Sequence, residues 1–319
     1  MQLHNKAVAG KFKVVKKIGE EVTYESEWQD NLVTDEGLKM LAKQTMDVMK
    51  YLHVTADNTE PTFEDSQMLN HVKVSNATQA DANGGDSVVS GNSEYIIIKE
   101  TRTYKFPLGS NYNISKIHLS PTKLTTDAPF SAALIKDSEG LATSISVLEK
   151  EDLYIIYSLI GYVSRGVSTF TFDITNDSGS VTYNGRVTPS DYLTSWKTWK
   201  PSNGSPFRSS PGGSVLLVYA IAKTFPINNA KPTTGTSIQP SGFEYAYDDQ
   251  KPYTVKFGST FSPGITNSWA MPNGIDLMHM WCAGGYYVFE FLDAEGKGIP
   301  KSQYHQLTLN FEVTYSRYE

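Results

Sequence analysis

The residues of this sequence that could do chemistry are few and scattered. The histidines are His4, His53, His71, His118, His279 and His305, and none forms an H-x-H or H-E-x-x-H spacing, so there is no local zinc signature. Alternation puts His118 on one strand face with Lys116, which reads as a surface position. His279, in Leu277-Met278-His279-Met280-Trp281, reads as a packed or interface residue. Cys282 is the only cysteine, which excludes an internal disulfide and a thiolate zinc cluster. Its neighbours Trp281 and Ala283 favour an inert buried thiol over a nucleophile. There is no G-x-S-x-G elbow, and Gly284-Gly285 lacks the Lys-Ser/Thr of a phosphate loop. Asp81, Asn83 and Asp86 suggest a calcium loop, but the glycine and terminal glutamate of an EF-hand are misplaced. Carboxylates cluster at Asp248-Asp249 and at Glu149, Glu151 and Asp152. Enzymes that cut polysaccharides use two such groups across a cleft; neighbours in sequence show no cleft, and surface charge is the default reading. The expectation is a protein that is not an enzyme and needs no cofactor and no metal.

The aromatic residues are more suggestive. Trp196, Trp199, Phe207, Tyr245 and Tyr247, with Tyr253, Trp269 and Trp281, fall in or near loops. Such rings stack on sugars, fill pockets on adjoining subunits, or cap sheet cores. Core or interface use is favoured over sugar binding, and the first five are the candidate interface contacts.

These groups must be carried by a mainly β framework. At 319 residues the chain can bury real cores as one large or two ordinary domains. Charged residues make up 19%, below the usual quarter, as suits a turn-rich β protein. A net charge of −6 argues against nucleic acid as a partner. Lys11, Lys13, Lys16 and Lys17 run straight into Glu20 and Glu21, the pattern of a solvated hairpin face. No apolar run approaches a membrane span, and Val215 to Ala222 reads as a buried strand, so no membrane insertion is expected. The N-terminus lacks the apolar core of a signal peptide, which predicts synthesis in the cytoplasm and no export by the general route.

Phe12 to Val15 and Val22 to Trp28 read as a hairpin turning at Gly19-Glu20. Asp30-Asn31 reads as a turn pair, and Thr34 as the N-cap of a helix whose first turn carries Asp35 and Glu36. Leu38, Leu41, Ala42, Thr45, Met49 and Leu52 follow a helical stripe, which predicts one amphipathic helix over about 35–52. Strands follow at Tyr95 to Lys99, Arg102 to Phe106, Asn113 to Leu119, Phe130 to Ile135, Ser144 to Leu148 and Leu153 to Leu159. The later chain repeats the design. Tyr253 to Phe257 matches Arg102 to Phe106, Asp293-Ala294-Glu295-Gly296 matches Asp137-Ser138-Glu139-Gly140, and Leu307 to Tyr315 matches Leu153 to Leu159. This predicts two β-sandwich-like units related by duplication, 1–165 and 166–319, the second with long loops at about 176–213 and 228–242. Convergence of ordinary hairpins is the alternative.

The hairpin followed by Asn31-Leu32-Val33-Thr34-Asp35-Glu36-Gly37-Leu38 resembles the start of a group of tailed-bacteriophage virion proteins, labelled tail-fibre or virion structural proteins. In those, a hairpin runs into an N-L-[IV]-T-x-x-G-L element and a short helix. Thr59-Glu60-Pro61-Thr62, Arg102 to Gly109, Asn113 to Ile117, Ala133 to Asp137, Thr143 to Leu148 and Leu309 to Tyr318 are similar to the same group, in order. The resemblance implies a virion structural protein of the tail, neck/collar or fibre-attachment region. It would act without enzymatic chemistry, through oligomeric assembly with copies of itself and other virion proteins. A module binding host surface polysaccharide, or a head-decoration protein, are the alternatives.

Overall fold

The computed structural model describes residues 6–43, 46–77, 88–107, 109–176, 179–189, 218–219, 237–238, 242–262, 274–275, 277–282, 285–301, 304 and 306–318. Their fold is mainly β, with one helix. The first half runs β1 (Lys6–Ile18), β2 (Glu21–Glu25), β3 (Gln29–Val33), α1 (Asp35–Lys43), β4 (Tyr51–Thr55), β5 (His71–Asn76) and β6 (Val88–Gly91). It continues with β7 (Tyr95–Phe106), β8 (Tyr112–Ile114), β9 (Lys116–Ser120), β10 (Ser131–Leu134), β11 (Ile145–Val147) and β12 (Asp152–Ser164). Then come β13 (Ser168–Asn176), β14 (Gly179–Pro189), β15 (Val218–Tyr219), β16 (Ser237–Ile238) and β17 (Gly242–Tyr247). The chain ends with β18 (Thr254–Phe261), β19 (Leu277–Cys282), β20 (Gly285–Leu292) and β21 (Leu307–Arg317).

The opening hairpin forms as read, with Gly19 at φ +61° in its turn. Asp30 and Asn31 are not a turn. They lie in β3, opposite Lys11 and Gly10 of β1, because the chain reverses earlier, over residues 26–28. The helix also departs from expectation, covering Asp35–Lys43 rather than 35–52. Asp47 accepts from the amides of Met49 and Lys50 and turns the chain there. The Met49 carbonyl then receives the Tyr104 hydroxyl at 2.5 Å and the Arg102 guanidinium at 2.9 Å. Leu52 lies in β4, which begins at Tyr51. Met49 and Leu52 are fully buried, by a turn and a strand that happen to continue the helical stripe.

Two sets of strands pair in the same order. β3 pairs with β10, β10 with β9, β9 with β4 and β4 with β5, all antiparallel. Likewise β14 pairs with β20, β20 with β19, β19 with β15 and β15 with β16. The second layers correspond too, β6–β7–β12 to β17–β18–β21. Layers meet where Tyr157 of β12 shares a hydrogen bond with Ser131 of β10, and where Phe289 of β20 packs on Phe311 of β21 at 4.6 Å.

The two Asp-x-Glu-Gly turns make the same bonds. Asp137 Oδ1 accepts from Glu139 and Leu141 amides, and Asp293 Oδ1 from Glu295 and Lys297 amides, all at 2.8–2.9 Å. Gly140 and Gly296 close them at φ +82° and +74°.

β1 joins the sets. It runs antiparallel to β12 from Lys6 to Lys17, and parallel to β21 where Lys6–Val8 meet Tyr315–Arg317.

Candidate functional site

The segment Asn31 to Leu38 forms the seam between these sets of strands. Thr34 caps α1, its Oγ1 accepting from the Gly37 amide at 2.9 Å and donating to the Pro129 carbonyl at 2.7 Å. The Thr34 amide donates to the Phe130 carbonyl at 3.0 Å. Phe130 lies so close that a Cβ on Gly37 would overlap its carbonyl oxygen and sit 2.9 Å from its carbonyl carbon. Glycine is required there by backbone packing, in a helix where alanine would be the better former. Leu38, Leu41 and Ala42 are buried, and α1 packs against β17, β18 and β21.

The C-terminal strand returns the contact. Arg317 Nε donates to the Val33 carbonyl at 2.7 Å, its guanidinium pairs with Asp35, and it lies 3.9 Å over the half-exposed Phe63 ring. Asp35 therefore serves both the helix N-terminus and the last strand. Beside this knot lies a cleft of about 590 Å³, within the size range of ligand sites. Phe63, Tyr253, Tyr315 and Tyr318 give it aromatic walls, with Asp30, Glu60, Lys136 and Arg317 as charged members. Burial, then Asp35, pushes the Tyr253 hydroxyl above its ordinary range. The Asn31 side chain, in the same wall, has both carboxamide atoms buried with no hydrogen-bond partner among the described residues. Tyr318 stacks on Tyr162 at 3.7 Å, with Tyr95 edge-on to both.

Of the candidate interface residues, Tyr247 belongs to this neighbourhood. It is half-buried, donates to the Pro252 carbonyl at 3.1 Å and takes Lys43 of α1 over its ring at 5.2 Å. For Tyr245 the backbone is described, opposite Phe257 in the β17–β18 ladder, and the side chain is not. Trp196, Trp199 and Phe207 lie outside the described residues, as do the 81–86 segment and most of both long loops.

Three members of the carboxylate clusters, Glu151, Asp152 and Asp248, have partners. Glu151 is held by Lys16 at 3.0 Å, by Thr23 and by the Leu148 amide, and these bonds outweigh its burial and lower its pKa. Asp152 pairs with Lys105, and Asp248 with Lys256. Among the described residues no group of three or more His, Cys, Asp or Glu is arranged to hold a metal ion.

His118 is not on the surface; it is 1% exposed. Together with His53, Thr55 and Lys116 it forms a row across β4 and β9, where His53 faces His118 and Thr55 faces Lys116. The row lies on the face opposite Leu52, Val54, Ile117 and Leu119. Residues 56–70 cover it at Lys116, which pairs with Asp57 at 2.6 Å, and the 121–129 loop closes on His53 through the Thr122 carbonyl at 2.9 Å. Strand alternation gives the face but not what lies over it, and the covering segment is polar enough to read as an open loop.

No family model, curated protein or solved structure matches the chain.

Proposed function

We propose that this chain is a non-enzymatic structural subunit of a bacteriophage virion, placed in the tail, neck/collar or fibre-attachment region. It works by assembling with copies of itself and with other virion proteins. The observation that carries the reading is the work done by the residues of the resemblance. Thr34 and Gly37 dock α1 on Phe130, Arg102 and Tyr104 fix the turn at Met49, and Arg317 ties the last strand to the first motif. Those residues build a rigid body, as a subunit repeated under symmetry requires. The matched pairing orders and matched turns support two β-sandwich-like units, 1–165 and 166–319, as copies of one design joined through β1.

A second reading, a glycan- or receptor-binding module on the virion surface, is favoured by the seam cleft, with its aromatic walls and the unpartnered carboxamide of Asn31. A head-decoration protein fits the same rigid body. Particle incorporation separates these readings from an unrelated role. With Trp196 and Trp199 both replaced by Ala, incorporation is expected to fall, and unchanged incorporation refutes the assigned contacts. Titration with host polysaccharide, followed by aromatic fluorescence, gives no response on the first reading and quenching on the second.

A further inference from the structure

The row of buried polar groups under residues 56–70 is not used by the seam. Covering it is a strap with little of its own to hold it. Asp57 and Met68 are its buried side chains, while Asn58, Thr59, Glu60, Thr62, Phe63 and Glu64 are exposed. Its other ties are few: the Lys116 ammonium to Thr59 Oγ1, the Ala56 amide to the Asn70 carbonyl, the Met68 amide to the Thr125 carbonyl, the Asp35 amide to the Phe63 carbonyl, and Arg317 over the Phe63 ring. It leaves through Asn70, at φ +49°, into His71. Segments with so few buried apolar contacts open at low free energy.

We infer that the strap is an acid-released cover, held shut while His53, His71 and His118 are neutral and loosened when they take up protons. The geometry leaves little room for added positive charge. His53 Nδ1 lies 3.2 Å from His71 Nε2, and its Nε2 is engaged by the Thr122 carbonyl at 2.9 Å. His118 Nε2 faces Thr55 Oγ1 at 3.3 Å, and its Nδ1 is buried without a hydrogen-bond partner among the described residues. The charged and titratable groups around the row are His53 on β4, His71 on β5, Lys116 and His118 on β9, Asp57 on the strap, and Lys123 and Asp127 on the 121–129 loop. Asp57 already pairs with Lys116, and Asp127 accepts from Thr122 Oγ1 at 2.7 Å. A proton on His118 or His53 would sit beside Lys116 and the other imidazoles, and Asp57, the carboxylate that favours it at His118, is already engaged by Lys116.

Burial holds His53 and His118 below their ordinary pKa, His118 down to about 3 with Lys116 as the next cause, and partial desolvation of its ring lowers that of the exposed His71. Opening the strap restores ordinary titration, so opening takes up protons and is favoured as pH falls below about 6.5. A histidine neutral in the closed form and free in the open one raises the opening constant about thirtyfold between pH 7.5 and 5.0.

Hydrogen exchange of the full chain at pH 7.5 and 5.0, corrected for intrinsic rates, tests this. Peptides spanning 56–70 are expected to lose protection at least about thirtyfold at pH 5.0, while those of β7 and β12 keep theirs. His118→Gln is expected to cut the pH effect about thirtyfold. His71→Gln, at an exposed position that spares the core, is expected to reduce it as well. Equal strap protection at both pH values overturns the inference, as does loss of protection in the strap only together with β7 and β12.

Discussion

Replacing Gly37 by Ala sets intrinsic helix preference against packing, and the two disagree in sign. Gly37 lies in the first turn of α1, where propensity alone would favour alanine by up to about 1 kcal/mol. The new Cβ, however, would overlap the Phe130 carbonyl oxygen and lie 2.9 Å from its carbon, and backbone gives way less readily than a side-chain tip. Phe130 is fixed on both sides. Its amide donates to the Leu119 carbonyl at 2.8 Å and its carbonyl accepts from the Thr34 amide at 3.0 Å. Overpacking of this kind costs about 1–3 kcal/mol, and each backbone bond loosened in relieving it adds about 1 kcal/mol. Less the propensity gain of up to about 1 kcal/mol, the net expected loss with one such bond loosened is about 1–3 kcal/mol. Urea unfolding followed by circular dichroism reads it as a midpoint lowered by roughly 0.3–1 M, taking a slope of about 3 kcal/mol/M. Lys39→Ala, which removes a half-exposed side chain and its bond to Glu36 on the same helix, is the control and should lower stability by only about 0.5 kcal/mol. A Gly37→Ala protein as stable as the parent, or more so, refutes the close approach on which the seam depends.

Removing the Thr34 cap by Thr34→Ala is expected to cost about 1–2 kcal/mol and Thr34→Ser much less, read by the same denaturation, because the hydroxyl serves both Gly37 and Pro129. Asp57→Asn leaves Lys116, 2% exposed, without its counter-charge, and should destabilise by about 3–5 kcal/mol. The double replacement Asp57→Leu with Lys116→Met should recover much of that loss, and a double variant no better than the single would show that the pair's charges are not the issue. Stability should also fall with acid. His118 is held at about 3 when folded and returns to about 6.5 when unfolded, so the unfolded chain binds the extra proton. Its contribution is complete above about pH 6.5 and lost progressively down to about pH 3. At about 1.4 kcal/mol per unit, roughly 2 kcal/mol goes between pH 6.5 and 5.0, and His118→Phe should flatten that slope in urea midpoints measured across the range.

Local chemistry was legible in the sequence and distant packing was not. The turn at Gly19, the cap at Thr34 and the acidic first turn of α1 depend on near neighbours, and they stand where the residue types put them. The end of the helix is hidden in the sequence because Met49 and Leu52 continue its stripe, while Arg102 and Tyr104, which hold the Met49 carbonyl after the Asp47 turn, come from β7. Gly37 carries no sign of its partner, since Phe130 arrives from another part of the chain. His118 was assigned its face correctly and its exposure wrongly, because the strap over it has the composition of an open loop. The repeated Asp-x-Glu-Gly turns make the same hydrogen bonds, but the strand match slips. Phe106 stands opposite Leu153 and Phe261 opposite Leu307, so Phe261, not Phe257, occupies the place of Phe106. Of the candidate contacts, Tyr247 packs beside the helix end, a use its loop-edge position did not show.

Whether the chain acts as a shaped part of a particle is tested most directly by imaging purified particles with electron cryo-microscopy and locating the chain in the averaged map. The expected result is density for both strand sets at one fixed position, repeated by the particle's symmetry, with the same surfaces in contact at every copy. Particles that lack the chain, or carry it without a fixed position, would contradict the assignment.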